Sequence, residues 1–139
     1  MMKPFLIISL FAALLFSCTK LTEKNIRGNW KITSQTLLGQ DVTVSQYSAV
    51  WTFNEAPNCL YTLDWKVSDS LFYSYNLDKK NQKLTITNFI VRVDIDTLGV
   101  TLNYIPSVTF DVEKNGKKMI LRSPGDTIVC HLELLYPDY

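Results

Sequence analysis

An all-β fold laid out as an antiparallel meander is what this 139-residue sequence predicts, and three observations predict it. From Arg27 onward apolar side chains recur with a period of two, as in strands that bury one face. Turn-forming clusters separate these runs at spacings of roughly 8–12 residues, the rhythm of sandwiches and up-and-down barrels. No stretch of roughly 10–15 residues has the helical period that would join parallel strands. The length suits one domain, and hydrophobic residues at 47% against 19% charged exclude a disordered chain.

The strands follow in order. Trp51 and Phe53 share one face of the run 49–54. Cys59, Tyr61, Leu63, Trp65 and Val67 alternate with Leu60, Thr62, Asp64 and Lys66. Leu71, Tyr73, Tyr75 and Leu77 continue the pattern, then Leu84 and Ile86. Phe89, Val91, Val93 and Ile95 alternate with Ile90, Arg92, Asp94 and Asp96. Val108, Phe110 and Val112 form a further run, and Ile128, Cys130, Leu132 and Leu134 the last. Between them lie Ala56-Pro57-Asn58, Asp78-Lys79-Lys80-Asn81, Asn115-Gly116 and Ser123-Pro124-Gly125-Asp126, all turn formers. Asn115-Gly116 between two alternating runs is the strongest hairpin signal.

The N-terminus reads as an address. Lys3 precedes an apolar run from Phe5 to Phe16, too short to span a bilayer, which takes about 20 residues, but suited to the core of an export signal. It ends in Leu15-Phe16-Ser17-Cys18, which resembles the lipobox of bacterial lipoproteins. The resemblance implies cleavage after residue 17 and acylation of Cys18 with a diacylglyceryl group and an N-acyl (palmitate-type) chain. Residues 1–17 would be signal peptide, 18–25 a polar tether and 26–139 the domain. Cleavage removes Lys3 and leaves 122 of the 139 residues, with 13 of the 14 basic side chains against 13 acidic ones. That balance supplies no net electrostatic pull to a membrane, and it argues against a nucleic-acid binder. No acidic run resembling the surface-export signal of Bacteroidetes lipoproteins follows Cys18, so the resemblance implies a cell-envelope address at the outer membrane, facing the periplasm.

With Cys18 taken by lipid, Cys59 and Cys130 remain in an oxidising compartment, and two cysteines allow one pairing. The expected disulfide would close a loop of about 70 residues and contribute roughly 4 kcal/mol on the chain-entropy account. Two separate buried thiols are the alternative.

Gly28-Asn29-Trp30 opens the first long strand, with Gly28 permitting a tight approach there. With Trp51-Thr52-Phe53-Asn54, Tyr73-Ser74-Tyr75-Asn76-Leu77 and Leu84-Thr85-Ile86, it resembles the small lipocalin-like lipoproteins of the Bacteroidetes over most of 26–135. The resemblance implies an antiparallel up-and-down β-barrel of about eight strands, with Trp30 packed across its floor.

Catalytic chemistry finds few groups. His131 is the sole histidine, and Cys130 beside it points to the opposite strand face. A zinc site needs about four ligands, which this inventory lacks, and no phosphate or nucleophile-elbow motif occurs. Asp94 and Asp96 share a strand face but alternate with Val93 and Ile95 like a solvated side. Lys79-Lys80 and Lys117-Lys118 read as solubilising hairpin tips. No catalytic residue, metal or cofactor is therefore expected. The remaining hypothesis is a pocket lined by Trp51, Phe53, Tyr61, Trp65, Tyr73 and Tyr75 for a small hydrophobic or glycan-like molecule. The rival is a filled barrel acting as a structural or interaction subunit of an envelope complex.

Overall fold

The computed structural model describes residues 20–67 and 71–135; the expected signal segment and Cys18 lie outside them. A short helix α1 (Glu23–Ile26) precedes β1 (Gly28–Leu37), β2 (Gln40–Asp41), β3 (Ala49–Phe53), β4 (Cys59–Leu63) and β5 (Lys66–Val67). Then follow β6 (Ser74–Asp78), β7 (Lys83–Asp96), β8 (Gly99–Asn115), β9 (Lys118–Arg122) and β10 (Ile128–Leu134). The sheet runs β5-β4-β3-β1-β10-β9-β8-β7-β6, with β2 attached to β1. Neighbours pair antiparallel throughout.

Setting aside the two-residue strands β2 and β5, eight strands wrap into a lipocalin-like up-and-down barrel. First and last strands join, from Trp30 opposite Leu134 to Leu37 opposite Ile128. The remaining gap, between β4 and β6, is closed by one bridge, Asn58 to Ser74. Within it the Tyr75 N–H donates to the Pro57 carbonyl at 3.0 Å. This seam is the weakest line around the barrel.

One end is shut. Leu21, from the expected tether, packs there beside Ile26, the two being 1% and 0% exposed. Their backbone is held because Thr22 and Asn25 cap α1 reciprocally, and the Leu21 N–H donates to the Gln82 side chain. Trp30, wholly buried, donates from Nε1 to the Ile26 carbonyl at 2.7 Å. Lys114 lies buried beneath it, Nζ 5.9 Å from the ring centroid, and donates to the Gly116 carbonyl at 2.8 Å. Gly28 has φ +128, and a Cβ there would come within 2.8 Å of Leu134 Cδ1. Only glycine fits this position.

The other end is uneven. Strand β8 pairs with β9 only from Asp111 to Asn115, whereas β7 and β8 continue pairing out to Asp96 and Gly99. The β7–β8 hairpin therefore stands beyond the rim. A positive φ at Asn88 and a register shift between Ile90 and Arg92 bend it, as bulges do.

Trp30→Ala removes the ring that joins α1, β1 and Lys114, and should lower stability by about 3–5 kcal/mol, the usual cost of deleting a buried tryptophan. Denaturant titration checks it; a loss below about 1 kcal/mol would show that the floor does not depend on this residue.

Candidate binding site at the barrel mouth

Alternation points one face of every strand inward, and rings occupy much of that volume. Trp51 is the hub. Its centroid lies 5.0 Å from Tyr61, 5.5 Å from Tyr73 in edge contact, and 5.4 Å from Phe89, stacked within 7°. Phe89 continues to Phe110 at 4.8 Å, and Phe53 meets Tyr75 at 5.1 Å. Such pairs each add about 0.5–1.5 kcal/mol beyond the area they bury. Five residues expected to line a pocket, Trp51, Phe53, Tyr61, Tyr73 and Tyr75, are thus core, each no more than 8% exposed. The expected aromatic pocket is corrected to a packed interior, because rings from opposite strands meet across it.

Trp65 is a second correction. Its strand ends at Leu63, and Asp64 and Trp65 form the two-residue turn into β5 with φ +49 and +66. Two-residue hairpins of the I′ kind require both signs positive, a conformation costly for a bulky residue. Trp65 is therefore 58% exposed at the rim rather than inside. The Asp64 carboxylate accepts from the Ser48 N–H at 2.7 Å and fixes this turn against residue 48.

The disulfide is also corrected: Cys59 and Cys130 are free, buried thiols. They sit on β4 and β10, with β3 and β1 between them. Three strand spacings amount to about 14 Å, whereas a bridge needs Cα atoms within about 7 Å. The Cys130 thiol instead donates to Gln35 Oε1 at 3.9 Å. Burial pushes Cys59 up to about 12, and Cys130 higher still. Burial first, then the nearby Cys59, lifts the Tyr73 phenol to about 12. Raised values favour the neutral forms in the fold. For Cys59 that stabilisation is complete below its ordinary value of 9.0 and is lost as pH rises through about 12.

Gln35 joins the interior to the mouth. Buried on β1 after the bulge at Thr33, it donates from Nε2 to the carbonyls of Ile90 and Val91 at 3.0 and 3.1 Å. Those carbonyls belong to the irregular part of β7, so one side chain spans the barrel and pins the base of the projecting hairpin. Beyond it, cross-strand pairs Val93–Leu102 and Ile95–Val100 place four apolar side chains on one face. Arg92, Asp94 and Asn103 link up on the other, through bonds of 3.1 and 2.7 Å to the Asp94 carboxylate. Asp96 accepts from the N–H groups of Leu98 and Gly99 at the tip. Both aspartates are thus committed to building the hairpin.

Between this apolar face and the β4–β5 hairpin lies a cleft of about 350 Å³. Leu63, Val67, Val100 and Leu102 make its apolar wall, the Tyr61 and Tyr47 rings its floor and side, and Asp64 and Lys66 its polar lip. Pockets for small ligands begin at about this size and have this character. Two clefts on the outer surface, of about 580 and 330 Å³, have mixed polar and apolar linings that include Lys31, Thr43, Lys118, His131 and Glu133. His131 faces outward there, while Cys130 and Leu132 face in. Among the described residues no cluster of three His, Cys, Asp or Glu could hold a metal. Compared with family models, curated proteins and solved structures, the chain finds no match.

Iodoacetamide at pH 8 should leave Cys59 and Cys130 unmodified in the native protein and alkylate both once denaturant is added without reductant. Peptide mapping reads the result. Alkylation only after reduction would restore the disulfide.

Proposed function

We propose that the protein is a lipid-anchored, lipocalin-like binding protein of the bacterial cell envelope that takes a small, mainly apolar molecule at the barrel mouth. The signal-like residues 1–17 and the lipobox-like Leu15-Phe16-Ser17-Cys18 support the anchor on Cys18. No helix among the described residues is long and apolar enough to cross a membrane. The reading of an outer-membrane protein facing the periplasm rests on the same N-terminal sequence.

The observation that carries the binding reading is the cleft between Val100–Leu102 and Leu63–Val67, apolar within and bordered by Asp64 and Lys66. An occupant with an apolar body and one polar end fits it: the body against the hairpin face, the polar end at the lip. The packed interior restricts the occupant to this rim, so it must be small or only partly enclosed. A second reading, a protein partner docking on the mouth, is favoured by Leu98 and Phe72, which are 95% and 89% exposed.

Native mass spectrometry of the detergent-solubilised protein separates the two. The ligand reading predicts a reproducible added mass that falls at least several-fold in Leu102→Asp. Absence of any added mass, with proteins co-purifying in a manner abolished by Leu98→Asp, would replace it with the partner reading.

A further inference from the structure

Charge on this molecule is balanced in total and polarised along the barrel axis. At the shut end, Lys20, Lys24 and Arg27 are exposed around α1, Lys79 and Lys80 on the β6–β7 turn, and Lys117 and Lys118 after the β8–β9 turn. Among the described residues, the acidic groups at this end are Glu23, Glu55, Asp78 and Glu133, the last opposite Lys118 across β9–β10. The Asp78 carboxylate is engaged chiefly by Asn81, from its N–H at 3.2 Å and its amide at 2.8 Å, with lesser contributions from the Lys80 backbone and the Lys83 charge. On the strands behind, Lys31, Lys83 and Lys114 stand with Asp111 and Glu113. At the mouth the sign reverses, with Asp41, Asp64, Asp94, Asp96 and Asp126 against Lys66, Arg92 and Arg122. Two of those three are taken up locally: Arg92 pairs with Asp94, and Arg122 with Glu113 and Asp126.

The chain enters the fold at the basic end. Lys20 is the first described residue, and two residues of chain from Cys18 reach at most about 7 Å. An acyl group on Cys18 would therefore hold the chain's entry at Lys20, on the same end as the basic turns, within about one Debye length of the bilayer surface at physiological salt. Charges so placed are attracted by anionic headgroups even when the protein's net charge is near zero, because the acidic excess lies at the far end and is screened.

We propose that the shut end of the barrel is a docking face for an anionic bilayer, fixing the molecule upright with its mouth turned away from the membrane. This rests on the lipid anchor proposed above, and it assigns the two lysine pairs a role beyond solubility. The barrel then stands as a rigid spacer, and the cleft is presented to the compartment rather than to the lipid.

The test uses the full-length protein, purified in detergent and reconstituted into vesicles of phosphatidylcholine alone or with phosphatidylglycerol added. Flotation with the neutral vesicles reads the anchor. Hydrogen exchange reads the docking face, at the turns 79–82 and 115–118 and at the hairpin tip 96–99. The proposal expects exchange at both basic turns to slow several-fold in the anionic vesicles, with the tip unchanged. High salt, and the variant Lys79→Glu/Lys80→Glu/Lys118→Glu, should each abolish the slowing. Equal exchange in the two vesicle types, or protection at the tip, would overturn it. If the protein fails to float with neutral vesicles, the anchor reading falls. Salt-sensitive flotation with the anionic vesicles alone would then still uphold the basic face, and its absence would sink that too.

Discussion

Packing around the Trp51 ring is the constraint on which the rest of the structure depends. Its indole, on β3, touches Tyr61 on β4, Tyr73 just before β6 and Phe89 on β7. The contacts to Tyr73 and Phe89 cross the β4–β6 seam, where among the described residues the backbone supplies only one bridge, which includes the Tyr75 N–H to Pro57 carbonyl bond. Side-chain packing thus does what the hydrogen-bond ladder does elsewhere: it holds the barrel shut. The arrangement has a cost, since Trp51 Nε1 and the Tyr73 hydroxyl are buried without partners among the described residues. Each unpaired group costs about 1–3 kcal/mol, which the aromatic packing has to outweigh.

A packed interior relocates function to the rim. The base is pinned at both ends: Trp30, Ile26 and Lys114 close the floor, and Gln35 ties β1 to the irregular stretch of β7 beneath the mouth. Above that tie the β7–β8 hairpin has lost its neighbours on both sides, because β6 pairs no further than Thr87 and β9 no further than Asp111. Segments with few neighbours open most readily. The structure therefore combines a rigid barrel with a hairpin whose apolar face can adjust to what it meets. Strain lies at the same place, in the left-handed Asp64 and Trp65 of the opposing turn, and backbone strain of this kind gathers at ligand-binding positions.

Most strands were legible in the sequence because their buried faces alternate, as in Ile128–Leu134. The first half of β8 was not. Between Gly99 and Ser107 the pattern is broken by Pro106, and the bulges opposite shift which residues face in. Trp65 was misplaced because period two continues through a turn in which no strand exists; only the two positive φ angles end it, and no glycine announces them. The cleft was hidden for a related reason. Its walls come from hairpins distant in sequence, and whether rings fill a barrel or line it depends on contacts across the interior that alternation does not encode. The bond from Gln35 to Ile90 and Val91, 55 and 56 residues away, has no sequence signal at all.

Acrylamide quenching of tryptophan emission tests the packed interior most directly, since the chain has three tryptophans of which two, Trp30 and Trp51, are wholly buried. The account predicts that quenching in the native protein arises from Trp65 alone, so that Trp65→Phe leaves a blue-shifted emission that acrylamide barely reduces. Strong quenching of that variant would mean that solvent-sized molecules reach Trp51 inside a hollow barrel, and the mouth would no longer be the place where binding has to occur.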